Sequence, residues 1–204
     1  AYIDSMYDVM EMETGMLKYV MNYVKEHCPE EIAMLNAEIP EIREIPTIRF
    51  HEAKQIMEEK YGHKSKNRYD LNPDEEVLLC QWAKEEHDSD FVFVTHFPSA
   101  KRPFYAMDDP EDPKLALSFD LLFRGLEITT GGQRIHDYQE QMDKLAARKM
   151  NAELFESFTM LHKYGMPPHG GLGIGLERLT MQLLKLNNVR DASMFPRDMN
   201  RLEP

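Results

Sequence analysis

Two carboxylates lie close together in a segment whose other residues are mostly apolar. Asp120 and Glu127 flank Arg124-Gly125 in "SFDLLFRGLEITTGGQRIH", residues 118–136. A two-residue connection between apolar runs predicts a β-hairpin, here with Asp120 opposite Thr129 and all three side chains on one face. Two carboxylates on a rigid sheet suit Mg²⁺, which keeps room for water and phosphate oxygens. The alternative is that both acids form salt bridges on a solvated face.

An arginine follows the hairpin and could bind an anion. Arg134 lies seven residues beyond Glu127, so strict alternation would place it on the opposite face. The adjacent glycines Gly131-Gly132 predict a bulge that reverses side-chain direction. A guanidinium aimed into a cleft is a planar fork suited to a carboxylate or phosphate. The alternative is a structural ion pair with Asp120 or Glu127.

A glycine-rich stretch is the third candidate. Gly171, Gly173 and Gly175 alternate in "GLGIGLERL", which predicts a strand with one face bare enough for a flat ligand such as a purine. Close packing of sheet and helix is the alternative. Arg178 follows at the start of a predicted helix, where a phosphate would be favoured. That helix is expected to turn its apolar residues inward: Leu176, Leu179, Leu183, Leu184 and Leu186.

The elements that position these residues predict an α+β fold with an antiparallel sheet flanked by helices. An amphipathic helix ending near Cys28 is indicated by apolar residues at three- and four-residue steps: Val9, Met12, Met16, Leu17, Val20, Met21 and Val24. Residues 30–88 read as a small insertion with its own packing, containing a short strand and two helices. Strands dominate after residue 89, beginning with "DFVFVTHFP" and a short one in "RPFYAMDDPEDP". Residues 1–29 and 89–204 are therefore predicted to form one domain.

Composition narrows the classes of protein. The 204 residues carry a net charge of −12, which argues against nucleic-acid binding by bulk electrostatics. No apolar window is long enough to cross a membrane, and the start is not a signal peptide, so a soluble chain is expected. Cys28 and Cys80 have neither zinc nor disulfide spacing, which suits a reducing cytoplasm.

These motifs together resemble a known family. "GLGIGLERL" resembles motif 3 of the class II aminoacyl-tRNA synthetases. "SFDLLFRGLEITTGGQRIHD", "YGMPPHGG" and the ending "FPRD…RL" resemble the aspartyl-tRNA synthetases of the archaeal and eukaryotic type. The resemblance is close from about residue 90 to the end and looser before it. It implies activation of L-aspartate by ATP with Mg²⁺, transfer to tRNA, and a homodimeric parent enzyme.

The resemblance also implies a role for each matching residue. Arg178 matches the arginine that holds the ATP phosphate tail, with Gly175, Leu176 and Glu177 as neighbouring ATP contacts. Asp120, Glu127 and Thr130 match the group around Mg²⁺ and substrate. Arg134 matches the arginine that pairs with the aspartate side chain, and Tyr105 matches a tyrosine beside it. Arg178, Glu127 and Arg134 are thus the predicted catalytic residues.

Several readings stay open on the sequence. Motifs 1 and 2 and the anticodon-binding domain of the family do not occur in it, so this chain alone is predicted not to charge tRNA. A non-catalytic paralogue with a binding or regulatory role is one alternative. An enzyme that makes asparagine through aspartyl-adenylate is another, and asparaginyl-tRNA synthetase is a third. Lys101 and Arg102 could contact tRNA phosphates or belong to a solvated loop.

Overall fold

A five-stranded sheet forms the centre of the molecule. The computed structural model describes residues 1–203, and its strands lie in chain order across the sheet. They are β1 (Thr47–Arg49), β2 (Phe91–Thr95), β3 (Ser118–Phe123), β4 (Leu126–Arg134) and β5 (His169–Ile174). β1 pairs with β2 in parallel, and the other three pairs are antiparallel. The predicted α+β class is confirmed, with one parallel pair added at an edge.

Within residues 1–203, seven α-helices surround the sheet. They are α1 (Met6–His27), α2 (Pro29–Leu35), α3 (Phe50–Tyr61), α4 (Pro73–His87), α5 (Tyr138–Ala147), α6 (Glu156–Lys163) and α7 (Leu176–Leu183). The start of α4 follows from its sequence, because Pro73 at the first turn has no N–H to lose and Glu75 Oε2 accepts the Asn72 main-chain N–H at 2.8 Å. None of the helices within residues 1–203 has the length and apolar character needed to cross a membrane.

Each face of the sheet has its own apolar cluster. On one face, α1 buries Leu17 and Met21 against the phenylalanines Phe91, Phe93 and Phe119. The alternation of β3 places Asp120 and Leu122 on the other face, where Leu122 packs with residues of α3 and α4. Those helices cover the β1–β3 part of this second face, and a cavity occupies the part over β4 and β5.

Residues 30–88 are integrated with the sheet. β1 lies within this segment and pairs with β2, while Phe50 and Leu79 share a cluster with Val92 and Val94. The expectation that the segment packs by itself is therefore wrong, since its helices cover one face of the sheet. Its boundaries as an insertion stay a prediction.

Three smaller sequence predictions differ from the structure. Met12 and Met16 are 52% and 41% exposed, because α1 turns a narrower stripe toward the sheet than the spacing of its apolar residues suggests. Leu176 is 70% exposed on the first turn of α7 and does not face inward. The segment "RPFYAMDDPEDP" forms only isolated bridges, such as Ala106 with Arg134, because its prolines and turns interrupt regular pairing.

A buried carboxyl group on α1 makes stability depend on pH. Glu13 is 1% exposed and lies against the sheet, where burial raises its pKa from 4.5 to about 7 and the Thr129 hydroxyl opposes the rise only in part. The folded protein therefore keeps this proton to a higher pH than the unfolded chain, so stability is lost as pH rises from about 4.5 towards 7. Glu13→Gln should raise the free energy of unfolding at pH 8 by about 1–3 kcal/mol.

Denaturant unfolding at pH 8 and pH 5 measures this effect. The gain from Glu13→Gln should shrink at pH 5, where the native carboxyl is already protonated. Glu11→Gln is the matched control, because Glu11 is exposed on the same helix. An equal gain at both pH values would show that Glu13 is not the titrating group.

Candidate active site

A bulge in β4 brings the candidate residues to one face. Leu122 pairs with Glu127 and Leu121 pairs with Thr129, so Ile128 is an extra residue that interrupts the alternation. Asp120 consequently pairs with Thr130, and the predicted pairing with Thr129 is wrong. The predicted bulge exists, but it lies at Ile128 and not at the glycine pair, which stays in regular register.

The consequence of the bulge is that alternate residues of β4 face the cavity. Thr130, Gly132 and Arg134 alternate along β4 and line the cavity together. Glu127 shares their face, because its partner Leu122 lies on the same face of β3 as Asp120, the partner of Thr130. Thr129 turns to the opposite face, where it is buried near Glu13.

Asp120 is held by an arginine. Arg102 Nη1 and Nη2 donate to the two Asp120 carboxylate oxygens at 2.9 and 2.7 Å, and the guanidinium lies 3.8 Å above the centre of the Phe97 ring. Burial raises the pKa of Asp120, and the Arg102 charge opposes this rise. Both side chains are buried, so the expectation that Arg102 either contacts tRNA or lies in a solvated loop is wrong.

Glu127 is held through its side chain and its main chain. Thr130 Oγ1 donates to Glu127 Oε1 at 2.9 Å, and Arg178 Nη1 donates to the Glu127 carbonyl oxygen at 2.9 Å while lying 3.5 Å from Oε1. The Glu127 N–H donates to Glu76 Oε2 at 2.7 Å. Burial, followed by the nearby Asp120 charge, raises the pKa of the Glu127 carboxyl group.

Glu76 is a third carboxylate at this end of the site. It lies in the first turn of α4, and burial raises its pKa to about 7, with Glu127 and Asp120 adding repulsion while Arg178 opposes it. The three acids and two arginines therefore form one electrostatic group that spans α4, β3, β4, α7 and the loop that contains Arg102. No feature of the sequence tied Glu76 to this group, because acids in a first turn usually serve only the helix dipole.

Arg134 projects into a cavity of about 330 Å³ beside this group. Its guanidinium carbon lies 4.8 Å from the centre of the Tyr105 ring, and within residues 1–203 it has neither an ion pair nor a hydrogen bond. The alternative of a structural ion pair with Asp120 or Glu127 is therefore wrong. Tyr105 is positioned by its carbonyl oxygen, which accepts the Ile135 N–H at 2.9 Å.

Glycines make the floor of the cavity flat. Gly171 and Gly173 of β5 pair with Gly132 and Thr130 of β4, and all four line the cavity. Gly175 is not part of the strand but precedes α7, where its N–H donates to the Ile128 carbonyl oxygen at 2.8 Å. Leu176 and Glu177 are exposed on the first turn of α7, next to the half-exposed Arg178.

Two glycines that line the cavity should respond differently to alanine. A Cβ on Gly131 would lie 2.3 Å from Phe119 Cζ, whereas a Cβ on Gly173 meets no atom within 4 Å. We expect Gly131→Ala to lower the free energy of unfolding by about 1–3 kcal/mol because the core beneath is closely packed. Gly173→Ala is the control and should leave it within about 1 kcal/mol. Denaturant unfolding measures both, and equal losses would contradict the close packing of Gly131.

The oxygen atoms at this site fit a magnesium ion that takes most of its other ligands from water and phosphate. Glu127 and Thr130 offer hard oxygen atoms at the edge of the cavity, and Asp120 lies across the strand pair from Thr130. Within the described chain, no three His, Cys, Asp or Glu side chains converge on a common metal position. Mg²⁺ accepts such a sparse site, because it commonly binds through one or two carboxylates together with water and phosphate oxygens.

Fold and site together define a class II aminoacyl-tRNA synthetase catalytic domain. A family model described as tRNA synthetases class II (D, K and N) matches residues 1–199, and the chain belongs to this family. Among curated proteins, two that it is similar to are aspartate–tRNA ligases. The aspartate–tRNA(Asp/Asn) ligase of Deinococcus radiodurans is 47% identical over all of this chain and 48% of its own length. The Thermus thermophilus ligase of the same name is 46% identical over 97% of this chain and 46% of its own.

Solved structures show the same architecture. Aspartyl tRNA synthetase from Entamoeba histolytica superposes with a TM-score of 0.89 at 30% identity, covering 97% of this chain and 41% of that one. Asparaginyl-tRNA synthetase from Pyrococcus horikoshii superposes with the same TM-score at 32% identity, covering all of this chain and 49% of that one. The chain spans about half the length of the curated relatives it matches.

Proposed function

We propose that this chain supplies the amino-acid pocket and part of the ATP site of an enzyme that activates L-aspartate and transfers it to tRNA(Asp). The observation that carries the proposal is the unpaired Arg134 guanidinium in a cavity lined by Tyr105 and the glycine floor. The names of the relatives at 46–47% identity support the same substrate. Homodimerisation of the full enzyme and a cytoplasmic location belong to this proposal as well.

Arg134 would select aspartate over asparagine. A carboxylate accepts two parallel hydrogen bonds from a guanidinium, whereas an amide presents an NH₂ group that competes with the guanidinium donors. Because Arg134 is unpaired among the described residues and stacked on Tyr105, it is preorganised for such a bond. The guanidinium also passes close to β5, since a Cβ on Gly171 would lie 3.8 Å from Arg134 Nη2.

The nucleotide would lie along β5 and the start of α7. Adenine would lie against the backbone of Gly171 and Gly173, and Arg178 would bind the phosphate tail from the edge of the site. Glu127 and Thr130 would hold Mg²⁺ on the ATP phosphates. Asp120 would offer a third oxygen atom if one of its two hydrogen bonds from Arg102 gave way to the ion. The ion would supply charge neutralisation at the phosphates.

The proposed reaction has two steps, formation of aspartyl-adenylate and transfer of aspartate to tRNA. The α-carboxylate of aspartate attacks the α-phosphorus of ATP, forming aspartyl-adenylate as the bond to pyrophosphate breaks. The terminal hydroxyl of tRNA then attacks the activated carbonyl carbon, releasing AMP and a proton. Arg134 and Arg178 act by holding the two substrates in line, which can lower a barrier substantially without a covalent enzyme intermediate.

Pyrophosphate exchange tests the proposal in the full natural chain that contains residues 1–204. Radiolabelled pyrophosphate should enter ATP when aspartate is present, and asparagine should support less than about one-hundredth of that rate. Exchange driven by asparagine would favour asparaginyl-tRNA synthetase. Exchange with aspartate that yields free asparagine when ammonia is added, and no charged tRNA, would favour the asparagine-forming enzyme. No exchange with either amino acid would favour a binding or regulatory role.

A second candidate function is transfer of aspartate to tRNA(Asn) as well. Both relatives at 46–47% identity are named for tRNA(Asp/Asn). Charging assays with purified transcripts of the two tRNAs decide between the candidates. Aspartate on both transcripts supports the broader function, and aspartate on tRNA(Asp) alone rejects it.

A further inference from the structure

We propose that Glu76 is a positioning residue of the ATP site: its carboxylate holds the main-chain N–H of Glu127 and thereby fixes the direction of the Glu127 side chain. The inference rests on the proposed function and adds to it a residue from the helix α4. It also gives residues 30–88 a part in the active site.

The bulge creates the need for such a partner. Ile128 has no register partner on β3, and β5 reaches only as far as Thr129, which pairs with Ile174. The Glu127 N–H therefore lies beyond the end of β5 and has no strand partner there. Glu76 Oε2 accepts it at 2.7 Å, which is short for a hydrogen bond from an amide.

The main chain of Glu127 is then held at both its N–H and its carbonyl oxygen. Glu76 accepts from its N–H, and Arg178 donates to its carbonyl oxygen at 2.9 Å. Thr130 donates to the Glu127 side chain itself at 2.9 Å. A bulged peptide has fewer ladder bonds than its neighbours, so these three contacts decide where the Glu127 carboxylate points.

A role for Glu76 that is limited to attaching α4 to the hairpin does not explain why a carboxylate stands at this position. α4 already lies beside the hairpin turn at Val77, whose Cγ2 would lie 3.1 Å from a Cβ on Gly125. Apolar packing could hold the helix without placing a carboxylate beside Glu127 and Asp120, whose charges repel it. A carboxylate kept in this costly position is expected to serve the site.

Three substitutions separate positioning from stability. Glu76→Ala removes the acceptor, Glu76→Gln keeps an acceptor oxygen without the charge, and Asp74→Ala is the control from the same turn, where Asp74 is exposed. The full natural chain is used, with melting temperature measured for each variant. We expect Glu76→Ala to raise the KM for ATP about tenfold, while the KM for aspartate changes less than about threefold. Glu76→Gln and Asp74→Ala should stay within about threefold of the unsubstituted protein for both substrates.

Calorimetric titration with Mg·ATP, without aspartate, gives a second readout that needs no turnover. Glu76→Ala should weaken the binding of Mg·ATP about tenfold, whereas Glu76→Gln should bind Mg·ATP about as tightly as the unsubstituted protein. An unchanged affinity for Mg·ATP in Glu76→Ala, with or without a lower melting temperature, would overturn the inference and leave only a tether. Equal damage in Glu76→Gln would also overturn it, since the acceptor is then not what matters. Absence of exchange in the unsubstituted protein would instead count against the proposed function.

Discussion

Replacing Arg134 by leucine should raise the KM for aspartate by about 10²–10³-fold in pyrophosphate exchange, with the KM for ATP changed less than about threefold. Removing one partner of a buried, hydrogen-bonded charge pair costs about 2–5 kcal/mol, and each 1.4 kcal/mol is a factor of ten. The Arg134 guanidinium makes no other polar contact within residues 1–203, so its loss should leave the fold intact.

Two further variants sharpen the result. Arg134→Lys keeps the positive charge but loses the planar guanidinium. Its KM for aspartate should therefore lie between those of Arg134→Leu and the unsubstituted protein. Arg43→Leu is the control, since the Arg43 side chain is 78% exposed and, among residues 1–203, forms an ion pair only with Glu41, at 3.4 Å. An aspartate KM that does not change in Arg134→Leu would show that the carboxylate is bound elsewhere.

Replacing Arg178 by alanine should give the opposite pattern. We expect the rate of pyrophosphate exchange to fall about 10²–10³-fold and the KM for ATP to rise, while the KM for aspartate stays within about threefold. Removing one donor that stabilises developing charge in a preorganised site costs this much in other enzymes. Arg178 also donates to the Glu127 carbonyl oxygen, so part of the loss would come from a displaced Glu127.

The matched control for this variant is Arg190→Ala. Arg190 lies close by in sequence and pairs with Asp198 at 2.9 Å on the surface, away from the cavity. Its removal should leave exchange within about twofold. If Arg178→Ala raised the KM for aspartate as strongly as that for ATP, the separation of the two subsites across β4 and α7 would be contradicted.

The alternating glycines before Arg178 predicted part of the structure correctly and part of it incorrectly. Alternating glycines in "GLGIGLERL" predicted a bare strand face, and Gly171 and Gly173 do line the cavity floor. Gly175 fell outside the strand because the chain turns there into α7. The glycine pattern shows which positions lack side chains. It does not show where the strand ends, because that depends on how far β5 can pair with β4.

By itself the sequence determined which side chains could do the chemistry and the strands and helices that hold them. Alternation and turn residues placed the hairpin, Asn72-Pro73 began α4, and the acids and arginines stood out against apolar neighbours. Those signals are local, because backbone geometry and capping act over a few residues. The family resemblance rested on the same short segments.

Only the tertiary structure decided which of these residues meet. The extra residue Ile128 turned Thr130 to the face of Glu127, Arg102 bound Asp120 from 18 positions away, and Glu76 reached the Glu127 N–H from 51 positions away. Such contacts depend on how helices pack on a sheet, and side-chain periodicity carries no information about partners that far apart along the chain.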